Sequence, residues 1–454
     1  MNGESLTLSE RLSRRLNHKD VEDVCKIFLA MCLVGLVVAF VTAAKNHGQT
    51  VFGEALGADF PAFYVAGTII NNYGEYGTAA LYDRALQARL YHQFFPLTEA
   101  DAILPYVNAP FFVLPFPLLA RLPYAWAYAC WLLISLALYV GGLTLLWREL
   151  KGMPAAAYRT ALMVAVTFMP FMMECLMGGQ TSAFGFFCLA LALTLERRGQ
   201  FVASGAALAL LAYKPTLLLL IGPMLLVTRR WRTLAGMAIG GGGLTLLSCA
   251  VVGWSGTLGW VKMLLFFGQS STSAATGLRT WKYVDLNSFA RTLWGEQVVL
   301  RWLTVGLAAL AFVPQIVRAW WLSPVSEGHE EKLRQTSWAI TLAWLPVLNV
   351  YVGFYDATLL GLSVVLVTEW FYQQADELPS SYRFALLGLY FAPWLSQKLA
   401  QAVGLQLYTI VIMAWGAYVL RLVAAARVVE WQAGFAEAEN PLARGAGAVA
   451  STNP

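Results

Sequence analysis

An aspartate follows the first long apolar stretch of the chain, in Gly57-Ala58-Asp59-Phe60-Pro61-Ala62-Phe63-Tyr64. Proline two residues later suits the first turn of a helix, where its missing N–H costs nothing. Asp59 is therefore placed either to cap that turn or to offer its carboxylate as a general base. Further along, Glu174, Gln180, Lys214, Arg279, Lys282, Asp285, Asn287, Asn349, Tyr355 and Asp356 stand at ends of apolar stretches that the charge pattern assigns to the same side. Ionisable groups at a membrane boundary are costly and usually line a site or a pathway. Each has a plainer reading as well: Lys214 snorkelling to headgroups, or Tyr355-Asp356 capping the following helix. Their shared side is what points to one extracytoplasmic cavity.

The chemistry open to such a set is narrow. The chain has no HExxH, no GxSxG and no phosphate-cradling GxxxxGKS. Its four histidines (His18, His47, His92, His329) are scattered in polar segments, which argues against a metal cluster. Its six cysteines sit in or beside apolar stretches without CxxC spacing and read as packing residues. A carboxylate, amides, tyrosines and a few basic groups at a lipid–water boundary fit single-displacement glycosyl transfer from a lipid phosphate. One carboxylate takes the proton of the acceptor hydroxyl, and basic groups stabilise the departing phosphate. A transporter or lipid flippase is the rival from another class. It calls for inverted repeats and charge near the midplane, neither of which is evident. A non-catalytic scaffold would not need its polar groups to converge.

The elements that position these residues follow from composition. Of 454 residues 58% are hydrophobic and only 13% charged, with a mean hydropathy of +0.59. Soluble domains carry about 25% charged residues, and several stretches here approach the roughly 20 apolar residues that cross a bilayer. The class is an all-α polytopic membrane protein. The net charge of +5 falls mainly in short loops, a topology signal rather than a nucleic-acid surface. Arg11, Arg14, Arg15 and Lys19 place the N-terminus in the cytoplasm. Alternating the spans from Cys25–Ala44 onward gives about twelve crossings, with each arginine cluster on the cytoplasmic side. Two extracytoplasmic excursions are expected, residues 45–122 and 253–297, carrying short interfacial helices. Residues 1–430 form one transmembrane domain, and 431–454 are an Ala/Gly-rich tail expected to be disordered.

The chain resembles glycosyltransferase family 87, a multi-spanning family with the GT-C-type fold. The resemblance rests on Asp59-Phe60 with Tyr64-Val65-Ala66-Gly67, Leu81-Tyr82-Asp83, Pro105-Tyr106 with Pro110, Pro115 to Pro117, Gly178-Gly179-Gln180, Arg197-Arg198-Gly199, Lys214-Pro215, Asn287-Ser288 and Tyr355-Asp356. It implies a polyprenyl-phosphate sugar donor, often of mannose, a lipid or glycan acceptor, a site facing the periplasm or exterior of the cell membrane, and no obligatory metal or cofactor. By the same resemblance Asp59 is the general base. Tyr64, Gln180, Lys214, Arg279, Lys282, Asn287, Tyr355 and Asp356 are its expected substrate contacts. The stretch Leu348–Asp356 lacks a histidine that some members place there, which leaves Arg279 or Lys282 to meet the phosphate.

Overall fold

The computed structural model describes residues 18–46, 48–51, 54–96, 103–270, 279–321, 330–374 and 378–439. Arg11, Arg14, Arg15, His47, His329, part of the second excursion (271–278) and the tail from 440 lie outside the described residues.

The helices run in the order α1 (His18–Lys45), α2 (Phe60–Asn71), α3 (Arg84–Phe94), α4 (Tyr124–Trp147), α5 (Ala155–Thr167), α6 (Ser182–Arg197), α7 (Phe201–Ala209), α8 (Leu218–Val227), α9 (Trp231–Ser270), α10 (Leu286–Trp294), α11 (Val298–Trp321), α12 (Glu330–Trp344), α13 (Leu360–Tyr372), α14 (Ser380–Val403) and α15 (Leu407–Glu439). A wide turn of π-helix, Pro170–Met177, follows α5 at an angle of 52°. Among the described residues the only strand-like pairings are two isolated bridges, Gln49 with Ala55 and Tyr283 with Gly353.

Among the described residues six helices are long and apolar enough to cross a membrane: His18–Lys45, Tyr124–Trp147, Trp231–Leu265, Val298–Trp321, Phe354–Tyr372 and Leu407–Ala425. The bent pair Ala155–Thr167 and Pro170–Met177 makes a seventh if it counts as one span. The expected twelve crossings are not found. The stretches behind the higher count are α6, with 16 residues, the shorter α7 and α8, and α12 and α14. α6 buries most of its length, whereas α7 and α8 leave Val202, Leu219 and Leu226 exposed. A buried helix and a spanning one have the same composition, so apolar runs alone do not separate them.

The first excursion is likewise no solvated loop. α2 is apolar, and Phe60, Phe63, Val65 and Ala66 are buried. Phe60 and Phe63 each lie 6.2 Å from the Trp131 ring of α4, and Phe116 lies 5.1 Å from the same ring. The Pro-rich stretch from Pro105 to Pro117 forms short turns that bury Phe111, Phe112, Val113 and Phe116. α9 breaks at Gly253, whose φ of +71° is costly for any residue with a Cβ. At the C-terminus α15 continues through Glu439, past the expected start of the tail at Trp431.

The bundle has two polar ends. α6 starts at Ser182 beside Asp356 and ends at Arg197 beside Glu369. Its 16 residues rise about 24 Å, short of the roughly 30 Å of a hydrocarbon core. The turn before α13 presents Asp356 at one end, and Glu369 near the end of α13 stands at the other.

Candidate active site at the aspartate end

Asp59 occupies the N-cap position of α2, and Pro61 lies in the first turn. Its side chain makes no capping hydrogen bond. The backbone N–H of Asp59 donates to the Gly178 carbonyl (3.0 Å), and the carboxylate Oδ2 accepts from Gln180 Nε2 (2.6 Å). The Asp59 side chain is thus not spent on capping the helix. The peptide holds the position while the carboxylate points to the turn that precedes α6. Oδ1 has no hydrogen bond among the described residues.

That turn needs a glycine. Gly179 has φ +76°, and a Cβ there would come within 2.6 Å of Phe60 Cβ and 3.1 Å of the Gly57 carbonyl oxygen. Trp131 Nε1 donates to the Gly179 carbonyl (3.0 Å), and Tyr128 OH donates to that of Met177 (2.6 Å). Two residues beyond Gln180, Ser182 Oγ donates to Asp356 Oδ1 (2.8 Å). One short segment, 180–182, therefore hydrogen-bonds two carboxylates that are nearly 300 residues apart in sequence.

Asp356 is buried and forms an ion pair with Lys214, whose side chain is 18% exposed. Lys214 stands where α7 ends and Pro215 begins the next turn. Its backbone (φ −135°, ψ 84°) lies outside the helical region, which a following proline disfavours. The ammonium lies 4.8 Å from the centre of the Tyr355 ring, a cation–π contact. Neighbouring Tyr213 donates its hydroxyl to the Thr181 carbonyl (3.4 Å), tying this turn to the same segment.

The second excursion closes the site. Val284 N–H donates to the Val352 carbonyl (2.8 Å), and Leu286 N–H to that of Val347 (3.0 Å). Asp285 caps α10 through the Ser288 N–H (3.0 Å) and hydroxyl (2.8 Å). Burial, partly offset by those two Ser288 bonds, raises its carboxyl to about 6. Burial raises the Asp59 carboxyl as well, against the Gln180 hydrogen bond and the positive charge of Lys282. Asp59 still touches solvent while protein surrounds it, as in a recess. Burial and then the nearby Asp59 charge push the Tyr283 phenol up, so it remains a protonated donor.

Asp59, Gln180, Lys214, Lys282, Tyr355 and Asp356, all singled out from sequence, thus gather at one end. Arg279 is exposed and Asn287 half-buried in the first turn of α10, both on the segment that carries Lys282. Tyr64 does not join them. Its ring is buried against Phe94 and Tyr124, and its hydroxyl donates to the Leu122 carbonyl (2.9 Å). Ser182 and Tyr283 were not anticipated. Their types are ordinary, and the one available signal was Ser182's place two residues after Gln180. Glu174, held by Gln397 Nε2 (2.6 Å), lies within reach of the Lys282 charge at the same end. Among the described residues no three His, Cys, Asp or Glu side chains converge as a metal site would need. Lys214, Lys282 and Arg279 are the groups here able to meet an anion.

The arrangement offers a carboxylate of raised proton affinity beside cations, at the boundary of a membrane bundle. No curated protein and no solved structure matches the chain. The model of glycosyltransferase family 87 matches residues 106–346, more than half the chain. Gln180, Lys214, Lys282 and Asn287 fall within that stretch, and Asp59, Tyr355 and Asp356 join it through the contacts above. The chain belongs to glycosyltransferase family 87 and is a multi-pass membrane glycosyltransferase.

Proposed function

We propose that this transferase moves a hexose, mannose in the first instance, from a polyprenyl-phosphate donor to a lipid or glycan acceptor with inversion at the anomeric carbon. The observation that supports it most is the state of the Asp59 carboxylate: uncapped, held at one oxygen by Gln180, and open at the other. In the step, the acceptor oxygen bonds to the anomeric carbon and its proton passes to Asp59. The bond from that carbon to the phosphate oxygen breaks, and the electron pair leaves with polyprenyl phosphate. Raised proton affinity suits Asp59 to this work, since a base operates best near the working pH.

Charge builds on the departing phosphate, and Lys214 is placed to receive it. An ammonium has three donors, and Asp356 occupies only part of that capacity. Lys282 and Arg279 supply further positive charge from the second excursion. Gln180 and Ser182 orient the two carboxylates, while Tyr355, Asn287 and Tyr283 offer hydrogen-bonding groups to the sugar. Tyr64, spent on the Leu122 carbonyl, is not carried forward as a contact. The arginine-rich end faces the cytoplasm in this reading, which puts the aspartate end outside the cell membrane.

Donor class is tested with purified protein in lipid nanodiscs, given either polyprenyl-phosphate mannose or nucleotide-linked mannose, both radiolabelled. Transfer from the first alone is expected. Transfer from the nucleotide sugar alone would overturn the lipid-phosphate donor.

A further inference from the structure

Lys282 stands on a single tight turn of the second excursion, Thr280–Lys282, and that turn is held from a distant part of the chain. Gln406, in the short connection between α14 and α15, is fully buried. Its Nε2 donates to the Trp281 carbonyl (2.7 Å) and to the Tyr283 carbonyl (3.3 Å), on either side of Lys282. Its Oε1 accepts from Ser396 Oγ, which in turn accepts the Tyr408 N–H (2.7 Å). Thr409, fully buried in the first turn of α15, donates its hydroxyl to the Val284 carbonyl (3.0 Å).

A buried amide is costly unless its polar atoms are bonded. Here both ends of the Gln406 amide are engaged, in a chain of hydrogen bonds that runs from the α15 backbone through Ser396 to the excursion. A solvated loop would leave its carbonyls to water. Instead the carbonyls of Trp281, Tyr283 and Val284 are taken by side chains of the α14–α15 junction. What this fixes is the backbone around a cation. Among the described residues the Lys282 ammonium forms no ion pair; it lies 5.5 Å from the Trp281 ring, and its charge reaches Asp59 and Glu174. Gln397, next to Ser396 on α14, holds that same Glu174 (2.6 Å). One end of the α14–α15 hairpin thus sets both the turn that carries the cation and a carboxylate within its reach.

We infer that Gln406, supported by Thr409, is a positioning residue for the donor: it fixes the backbone of Lys282 so that the ammonium meets the donor phosphate. The inference rests on the reading of Lys282 as a contact of polyprenyl phosphate. With its backbone already ordered, Lys282 gives up only side-chain freedom on binding; releasing the turn adds the cost of ordering it again.

The experiment measures binding of radiolabelled polyprenyl phosphate, the departing group of the proposed step, to the full-length protein in nanodiscs. Wild type is compared with Lys282→Met, Gln406→Met and the double variant. Each single change is expected to weaken binding about fivefold, within the range for residues that share a contact network. The double variant is expected to bind no more weakly than Lys282→Met, because Gln406 acts through Lys282. A merely structural role would weaken binding as much in Lys282→Met protein as in wild type, and that result overturns the assignment. So does wild-type affinity in Gln406→Met. Wild-type affinity in Lys282→Met, or no binding by wild type, instead removes the donor contact itself and takes the assignment with it. Should Gln406→Met fail to fold, Thr409→Val, which keeps the side-chain shape and removes the bond to Val284, enters the same cycle with the same overturning results.

Discussion

Asp59 separates its backbone from its side chain: the peptide N–H is fixed to Gly178, and the carboxylate turns to Gln180. Burial raises its folded-state pKa above that of the unfolded chain. For a carboxyl shifted upward, folded-state stability falls as pH rises through the interval between those two values. At neutral pH the ionised Asp59 therefore weakens the fold, and Asp59→Asn should melt at a higher temperature than wild type there. The excess should shrink as pH falls toward the ordinary carboxyl range, and a thermal unfolding series in pH checks it. Because Gln180 favours the ionised form, Gln180→Ala should move the acid limb of kcat/KM to higher pH; an unmoved limb would detach Gln180 from the base. At this scale the sequence was informative where type and side coincided, as at Gln180, Lys214 and Asp356. It misled at Tyr64, which shares the Asp59 motif but lies on a face of α2 that turns inward to Leu122.

Among the elements, the turn from Met177 to Ser182 organises the site, since Gln180 and Ser182 hold Asp59 and Asp356 from positions two residues apart. Gly179→Ala forces a Cβ against Phe60 and into a left-handed backbone. It should cost about 1–3 kcal/mol of stability and lower transfer more than a surface substitution of equal thermal effect. Melting temperature measured alongside kcat distinguishes the two. The second excursion hangs on Asp285, whose buried carboxyl is raised to about 6. Asp285→Ala removes the cap of α10 and should raise the donor KM more than it lowers kcat, because Lys282 and Asn287 lie on the freed segment. A fall in kcat alone would count against that linkage. The break at Gly253 and the turn at Lys214-Pro215 were legible because glycine and proline act locally. The pairing of Tyr283 with Gly353 was not, since it joins loops 70 residues apart.

Over the whole molecule the reading of a membrane bundle held, and the span count did not. Among the described residues six or seven helices are long and apolar enough to cross, and α6 owes its apolar composition to burial inside the bundle. Composition registers both kinds alike. The polar residues singled out with Asp59 still gather at one end of the bundle, because that depends on where helices end and not on how many there are. Arg229 and Arg279 are both exposed, at opposite polar ends. With Arg279→Cys and Arg229→Cys in intact cells, a membrane-impermeant thiol reagent should modify the first, and the second only after permeabilisation. Labelling of both from outside would refute the two-ended arrangement.

The central claim is that Asp59 is the base. Its most direct test is single-turnover transfer from radiolabelled polyprenyl-phosphate mannose by purified wild type and by Asp59→Asn of verified fold and donor affinity. The account predicts a loss of roughly 10²–10⁴-fold in rate, the usual contribution of a general base, with donor binding retained. Equal rates in the two proteins would contradict it.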